Sequence, residues 1–249
     1  MTWLILLALA SPLSASADPG VDGFPIPPHH TIHEVLRNGS KVGEVHSQLS
    51  RDQRGVWYFD TETVATSRMA RLLGLSAEES AHFLWRDDKV MSLTYRQVSR
   101  APLRTRFWQH QNDWEQQTAN IKTHEGDLTL TLEDDLLDPL TLRLQLAAMM
   151  HDADNHGRDL AFRVLERDEI EDQSIFFRGR ETLSNNLGCF DTIKIQRFRR
   201  EGSSRNYRAW LAEELHWMPL RIEIHRDDDE VIALNLIDTD IHLTNPNCN

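Results

Sequence analysis

The sequence predicts a mainly β protein: an antiparallel curled sheet, of half-barrel or β-spiral form, wrapped around one α-helix. Two observations carry that expectation. Apolar residues return at every second position through most of the chain, the spacing of strands with one buried face. A single segment, opening at Asp138-Pro139, has both the start signal and the spacing of a helix.

Residues 1–17 hold an apolar run followed by Pro12 and the small residues Ala15-Ser16-Ala17, the layout of a cleavable secretion signal. The run is shorter than the roughly 20 apolar residues that a membrane-crossing helix needs. No later stretch approaches that length, so no transmembrane anchor is expected. The expected location is the periplasm, with residues 18–249 as a single β-rich domain, since no Gly/Ser/Pro-rich linker divides them. Residues 18–28 are rich in Pro and Gly and should form an irregular lead-in.

Strand patterns follow in order. Residues 55–66 place Trp57, Phe59, Thr61 and Thr63 on one face. Residues 89–98 place Met91, Leu93 and Tyr95 together, 127–133 place Leu128, Leu130 and Leu132, and 159–166 place Leu160, Phe162 and Val164. Leu220, Ile222 and Ile224 form the first arm of a hairpin that turns at Asp227-Asp228-Asp229 and returns through 231–237. With weaker patterns at 31–37, 41–50, 103–111, 113–122, 170–182, 190–200 and 206–213, about a dozen strands are expected, in antiparallel meander order.

The helix begins where Asp138 can cap orphan N–H groups and Pro139 suits the first helical position. Leu140, Leu144 and Ala147 or Ala148 return on one face, and the helix should end near His151. A second helical turn is expected at Ser76, where Ser76-Ala77-Glu78-Glu79 fits a capping box.

The formal charge is −12, from 39 acidic and 27 basic residues, which argues against a nucleic-acid partner. Arg197, Arg199, Arg200, Arg205 and Arg208 gather near a strand end and turn, where a solvated hairpin tip is expected rather than a phosphate site. The two cysteines, Cys189 and Cys248, read as one disulfide in an oxidising compartment. Its closed loop would contribute roughly 4 kcal/mol in the chain-entropy account.

Enzyme signatures are scarce: no nucleophile elbow, no His-Glu-x-x-His, no phosphate-cradling glycine loop and no dinucleotide fingerprint are found. No catalytic residue and no cofactor is therefore expected. The segment 151–159 places Asp152, Asp154 and Gly157 at calcium-loop spacing, but Arg163 stands where a bidentate Glu should close the oxygen shell. A polar turn is expected there, and no metal. His29, His30 and His33 have zinc-like spacing but are expected to be exposed beside the lead-in. Glu213-Glu214 and the acidic runs 133–135 and 227–230 read as charged loop tips rather than a glycosidase pair.

Several segments resemble, in order and spacing, a bacterial exported family known as domain of unknown function 3108. The resemblance rests on Asp113-Trp114, then Asp138-Pro139-Leu140-Thr141-Leu142-Arg143-Leu144-Gln145-Leu146, then Gly188-Cys189-Phe190-Asp191-Thr192-Ile193-Lys194-Ile195. It ends with Trp210-Leu211-Ala212, Leu215, Trp217 and Pro219-Leu220-Arg221-Ile222-Glu223. It implies a periplasmic antiparallel sheet curled around a helix, similar in shape to the lipoprotein carriers LolA and LolB, and it brings no activity. Cys189 departs from the family pattern, so the disulfide is expected from the cysteine count alone.

Of the seven tryptophans, all but Trp3 lie beyond the signal. Core packing is their first explanation, yet the inner face of a curled sheet can leave an apolar groove. The resulting expectation is a non-enzymatic carrier for a lipid or lipoprotein-derived ligand, with Trp114, Trp210 and Trp217 lining the groove. The alternative is an envelope protein with a filled core that binds a protein partner through its surface. Thiol titration of the mature chain without reductant is expected to find no free thiol, and two reactive thiols would refute the cystine.

Overall fold

The computed structural model describes residues 23–66, 74–198, 206–226 and 230–243. Residues 1–17, Arg199, Arg200, Arg205, the turn 227–229 and Cys248 lie outside the described residues, so the signal and the Cys189–Cys248 pairing are expectations only.

The first half of the chain forms β1 (His29–Arg37), β2 (Ser40–Arg51), β3 (Trp57–Ala65), β4 (Ser76–Arg86), β5 (Lys89–Ala101), β6 (Arg104–Asp113), β7 (Thr118–Thr123) and β8 (Asp127–Thr131). The helix α1 (Pro139–Met149) follows, then β9 (Leu160–Glu166), β10 (Glu169–Asn185), β11 (Gly188–Phe198), β12 (Asn206–Ala212), β13 (Pro219–His225) and β14 (Val231–Thr239). All fourteen strands share one antiparallel sheet in the order β8-β7-β6-β5-β4-β3-β2-β1-β14-β13-β12-β11-β10-β9. Each half is a meander of sequence neighbours, and the β1–β14 ladder joins the halves. Asn38-Gly39 and Asp87-Asp88 make tight turns with both residues at positive φ, the geometry that matches the right-handed twist of hairpin strands.

The two edges, β8 and β9, share no ladder, but the sheet curls far enough to bring them together. Leu137, just past β8, donates its N–H to the Arg163 carbonyl (3.0 Å) and accepts from the Leu165 N–H (2.8 Å). Ala119, Ile121, Leu132, Leu136 and Leu165 form a separate apolar cluster at this seam. His110 on β6 bonds the Arg167 carbonyl in the β9–β10 turn (2.6 Å), and Arg167 lies over the Trp108 ring. A short backbone bridge at Leu137 and side-chain packing therefore do what a missing ladder does not.

Helix α1 runs through the space enclosed by the sheet. Its leucines at 140, 142, 144 and 146 alternate as strand residues would, but two helical residues turn the chain by about 200°. Alternation thus places leucines on opposite sides of the helix, and all four are buried. A helix with apolar residues buried on both sides belongs in an interior, and from Leu140 to Ala148 only Arg143 is exposed.

The start signal acts as expected. The Asp138 carboxylate accepts from the Leu140 and Thr141 N–H groups, each at 2.9 Å, and Thr141 returns a bond to the Asp138 N–H at 2.9 Å. Asp138 also accepts from the Ser92 hydroxyl at 2.7 Å, which fastens the cap to β5. A second tie is Gln145, whose side-chain oxygen accepts from the Val90 N–H at 2.7 Å. These bonds fasten one side of α1 to β5, and the helix also packs against β4 and β9.

Several expectations are corrected. Ser76 starts strand β4, not a helical turn: Ala81, Phe83 and Trp85 return at every second position and are buried, and that periodicity outweighs a local capping pattern. In β5 a register shift opposite His82/Phe83 turns Ser92 inward and leaves Met91 and Leu93 on the other face from Tyr95. The end of the lead-in is ordered core, since Phe24 packs edge-on to Trp57 (4.8 Å) and against Trp85 (4.9 Å), and Ile26 is fully buried. His29 and His33 are buried on the inner side of β1 rather than exposed. They bond the carbonyls of Pro27 (2.8 Å) and Pro219 (3.0 Å).

Replacing Asp138 with Ala removes a cap and strands the Ser92 hydroxyl, so a loss of at least about 2 kcal/mol is expected in denaturant unfolding. The exposed Asp134→Ala should change stability by less than about 0.5 kcal/mol. Burial lowers the pKa of both His33 and His110 to about 4. Unfolded histidines take up protons near pH 6.5, so stability should be complete above that pH and fall as pH drops toward 4, by on the order of 2–3 kcal/mol per histidine. A melting temperature that falls between pH 7 and 4.5, and falls less in the His33→Gln/His110→Gln variant, is the expected result.

Candidate functional site

Because α1 is tied to the β4–β5–β9 side, its opposite face looks across the interior. Pro139, Leu142, Arg143 and Leu146, at the i, i+3, i+4, i+7 spacing of one helix face, border a cavity of about 190 Å³. The facing wall is the inner side of β10–β14. Cross-strand pairing sets Ile195, Ala209 and Ile222 in one row, with Ile224 and Leu234 beside them. The walls are mostly apolar, and their inward polar groups are few, Arg143, Arg197 and Tyr207, since Arg208 alternates with Tyr207 and Ala209 and turns its side chain to the outer side.

Trp217 is among the residues that line the cavity. It follows a 3-10 turn at Glu213–Leu215, and both His216 (φ 52°) and Trp217 (φ 62°) take the left-handed conformation. That is an unfavourable backbone for a bulky residue. The turn brings the indole against the His156 ring (4.8 Å). His156 bonds the Met150 carbonyl just after α1 (2.8 Å) and receives a bond from Arg180 (2.9 Å).

The structure separates the other two tryptophans from the cavity wall. Trp114 packs at the β8–β9 seam and donates to the Ser92 carbonyl at 2.8 Å. Trp210 alternates with the cavity residues Ala209 and Leu211 and so faces the outer side of the sheet. There it is covered by Lys194 (4.7 Å) and Arg221 (5.3 Å) and donates to Glu181. Arg197 is not a solvated tip residue. It stacks on Tyr207 (4.4 Å) and bonds the buried Gln173, at the cavity edge.

Other candidate clusters disperse. Among the described residues, no group of three or more His, Cys, Asp or Glu side chains is placed to hold a metal ion. The segment after α1 is a 3-10 turn capped by Asp152 through the Asp154 N–H. Glu133 and Asp135 pair with Arg163 and Lys89, and Glu230 is buried between Arg37 and Arg226. Two larger hollows, of about 470 and 520 Å³, are lined chiefly by polar and charged residues such as His46, Asp60, Glu62 and Arg96 in one and Arg51, Arg54 and Asp87 in the other. Water competes well on such walls, so neither has the apolar enclosure that retains a small ligand.

The helix face at 139, 142, 143 and 146 and the Ile195, Ile222, Ile224 and Leu234 wall are the site residues that the sequence reading did not single out. Their signal was present in the alternating leucines, which require an apolar partner on both sides of α1.

No curated protein sequence matches the chain. Among solved structures it is similar to a beta-barrel-like protein of domain of unknown function DUF1849 from Brucella abortus. That match is 10% identical, covers 87% of this chain and 98% of that one, and has a TM-score of 0.57. It is a likeness of fold. A putative lipoprotein from Parabacteroides distasonis is 9% identical over the same shares of each chain, with a TM-score of 0.37. The profile of the protein family of unknown function DUF3108 matches residues 31–234, from the first strand into the last, and the chain belongs to that family.

Proposed function

We propose that the protein is a non-enzymatic periplasmic binding or carrier protein that holds a lipid-like chain between α1 and β10–β14. The observation that carries this reading is the cavity itself: an apolar helix face and an apolar sheet wall that stand apart inside a curled sheet. Burying a hydrocarbon there contributes about 25 cal/mol for each Å² removed from water. The proposed contacts are Trp217, Leu142, Leu146, Ile222 and Leu234. The location rests on the signal-like residues 1–17, and the Cys189–Cys248 disulfide belongs to the same proposal. It is supported by the absence of a free cysteine among the described residues.

A second reading, a surface-acting envelope protein with a filled core, is favoured by the size of the cavity. Its volume is below the roughly 300–1,000 Å³ of pockets that enclose drug-sized ligands.

Native mass spectrometry of protein purified without detergent is expected to show a bound acyl-chain species. Ala209→Phe, which places a ring in the middle of the cavity wall, should lower binding of 1-dodecanol at least tenfold while leaving the folded circular-dichroism spectrum unchanged. A ligand-free spectrum together with no dodecanol binding by the unaltered protein would favour the filled core.

A further inference from the structure

Resting on that reading, we infer that the ligand is a single-chain amphiphile with a terminal anion, its chain in the cavity and its head group at Arg143 and Arg197. The charged side chains that face the cavity are Arg143 and Arg197, and the lining holds neither Asp nor Glu, in a chain whose net charge is −12. An apolar hollow with only positive charge at its polar positions matches an amphiphile with a negative head and opposes a cationic one.

Arg143 is the stronger indication. It lies on the cavity face of a helix whose other residues are largely buried, yet it is itself exposed. Among the described residues, no hydrogen bond or ion pair engages its guanidinium, whereas Arg100, Arg163 and Arg221 each meet a carboxylate. Burial dominates at the inner-face groups His33 on β1, whose pKa it lowers, and Tyr95 on β5, whose pKa it raises, and the Arg143 charge reaches both as a smaller contribution. Burial keeps His33 neutral, so that ring supplies no competing charge. The acid on the same inner side, Glu79, accepts from Tyr95 (3.3 Å) and Gln97 (3.2 Å) on β5 instead.

Arg197 supplies a second, fixed donor. Its plane is set by Tyr207 and by the bond to Gln173. A guanidinium held in one orientation suits the paired oxygens of a carboxylate or phosphate.

The volume selects the chain count. At about 190 Å³, the cavity accepts part of one alkyl chain and excludes the several chains of a lipidated protein. A fatty acid and a single-chain phospholipid share the required chemistry, a lone chain ending in an anion.

Isothermal titration with dodecanoate, dodecyl phosphate, 1-dodecanol and dodecyltrimethylammonium, each below its micelle concentration, separates the possibilities. The unaltered protein is expected to bind at least one of the two anions 10- to 100-fold more tightly than dodecanol, the range of one charge-assisted hydrogen bond. The tighter anion identifies the head group. Arg143→Gln should erase most of that preference and its salt dependence while leaving the melting temperature unchanged. Arg197→Gln should erase the remainder. Equal binding of anions and alcohol, tightest binding of the cation, or a preference that survives both substitutions would overturn the anionic head group while the carrier reading stands. Failure of every alkyl probe to bind would instead remove the carrier reading beneath it.

Discussion

One buried carboxylate decides where the helix sits. Asp138 caps α1 and accepts the Ser92 hydroxyl of β5 in the same buried spot. Taking a carboxylate out of water is costly, and burial raises its pKa. Three hydrogen bonds to its oxygens, together with the Thr141 bond to its backbone, offset that cost only while helix and strand hold their relative positions. Gln145 repeats the logic about two helical turns further along, at Val90. An apolar helix without these ties could slide toward whichever wall packed best. With them it is fastened to the β4–β5 side, and the space on its other side stays open.

The interior is therefore unequal from side to side. Under the helix on the β3–β5 side, aromatic rings fill the volume: Trp57, Phe83 and Trp85 gather around Phe24 from the lead-in. Farther along the same inner face, the row pairing Ser47, Thr61, Glu79 and Gln97 is polar. The β10–β14 side is lined by Ile, Leu and Ala, with Arg197 and Tyr207 among them.

Much of the architecture was legible in the chain because a strand with one buried face leaves a period of two, and that holds at Trp57/Phe59 and at Leu220/Ile222. The helix was legible from its first two residues rather than its leucines, whose alternation taken alone reads as a strand. Legibility failed where a local pattern met a tertiary one. Ser76-Ala77-Glu78-Glu79 has the residues of a capping box, but Phe83 and Trp85 demand a strand. At Met91 and Leu93 one extra residue in β5 reverses the faces, and a register shift leaves no periodic trace. The cavity lay beyond sequence reading because it depends on which side of α1 meets which wall. The alternating leucines indicate two buried sides without telling that one of them faces a gap. Trp217 was singled out as an aromatic, whereas its placement comes from a left-handed turn that composition does not announce.

The β1–β14 ladder has a further meaning for how the chain acquires its shape. Every other ladder joins strands adjacent in sequence, whereas His30 and Thr239, bonded across this one, are 209 residues apart. Hairpin-by-hairpin growth can build β1–β8 and β9–β14 from short loops at small entropic expense, but uniting them requires closing nearly the whole chain. The first and last strands thus meet in the middle of the sheet rather than at its rim. Assembly of the complete sheet waits for the final strand to be synthesised, and until then β1 presents an unpaired edge to its surroundings.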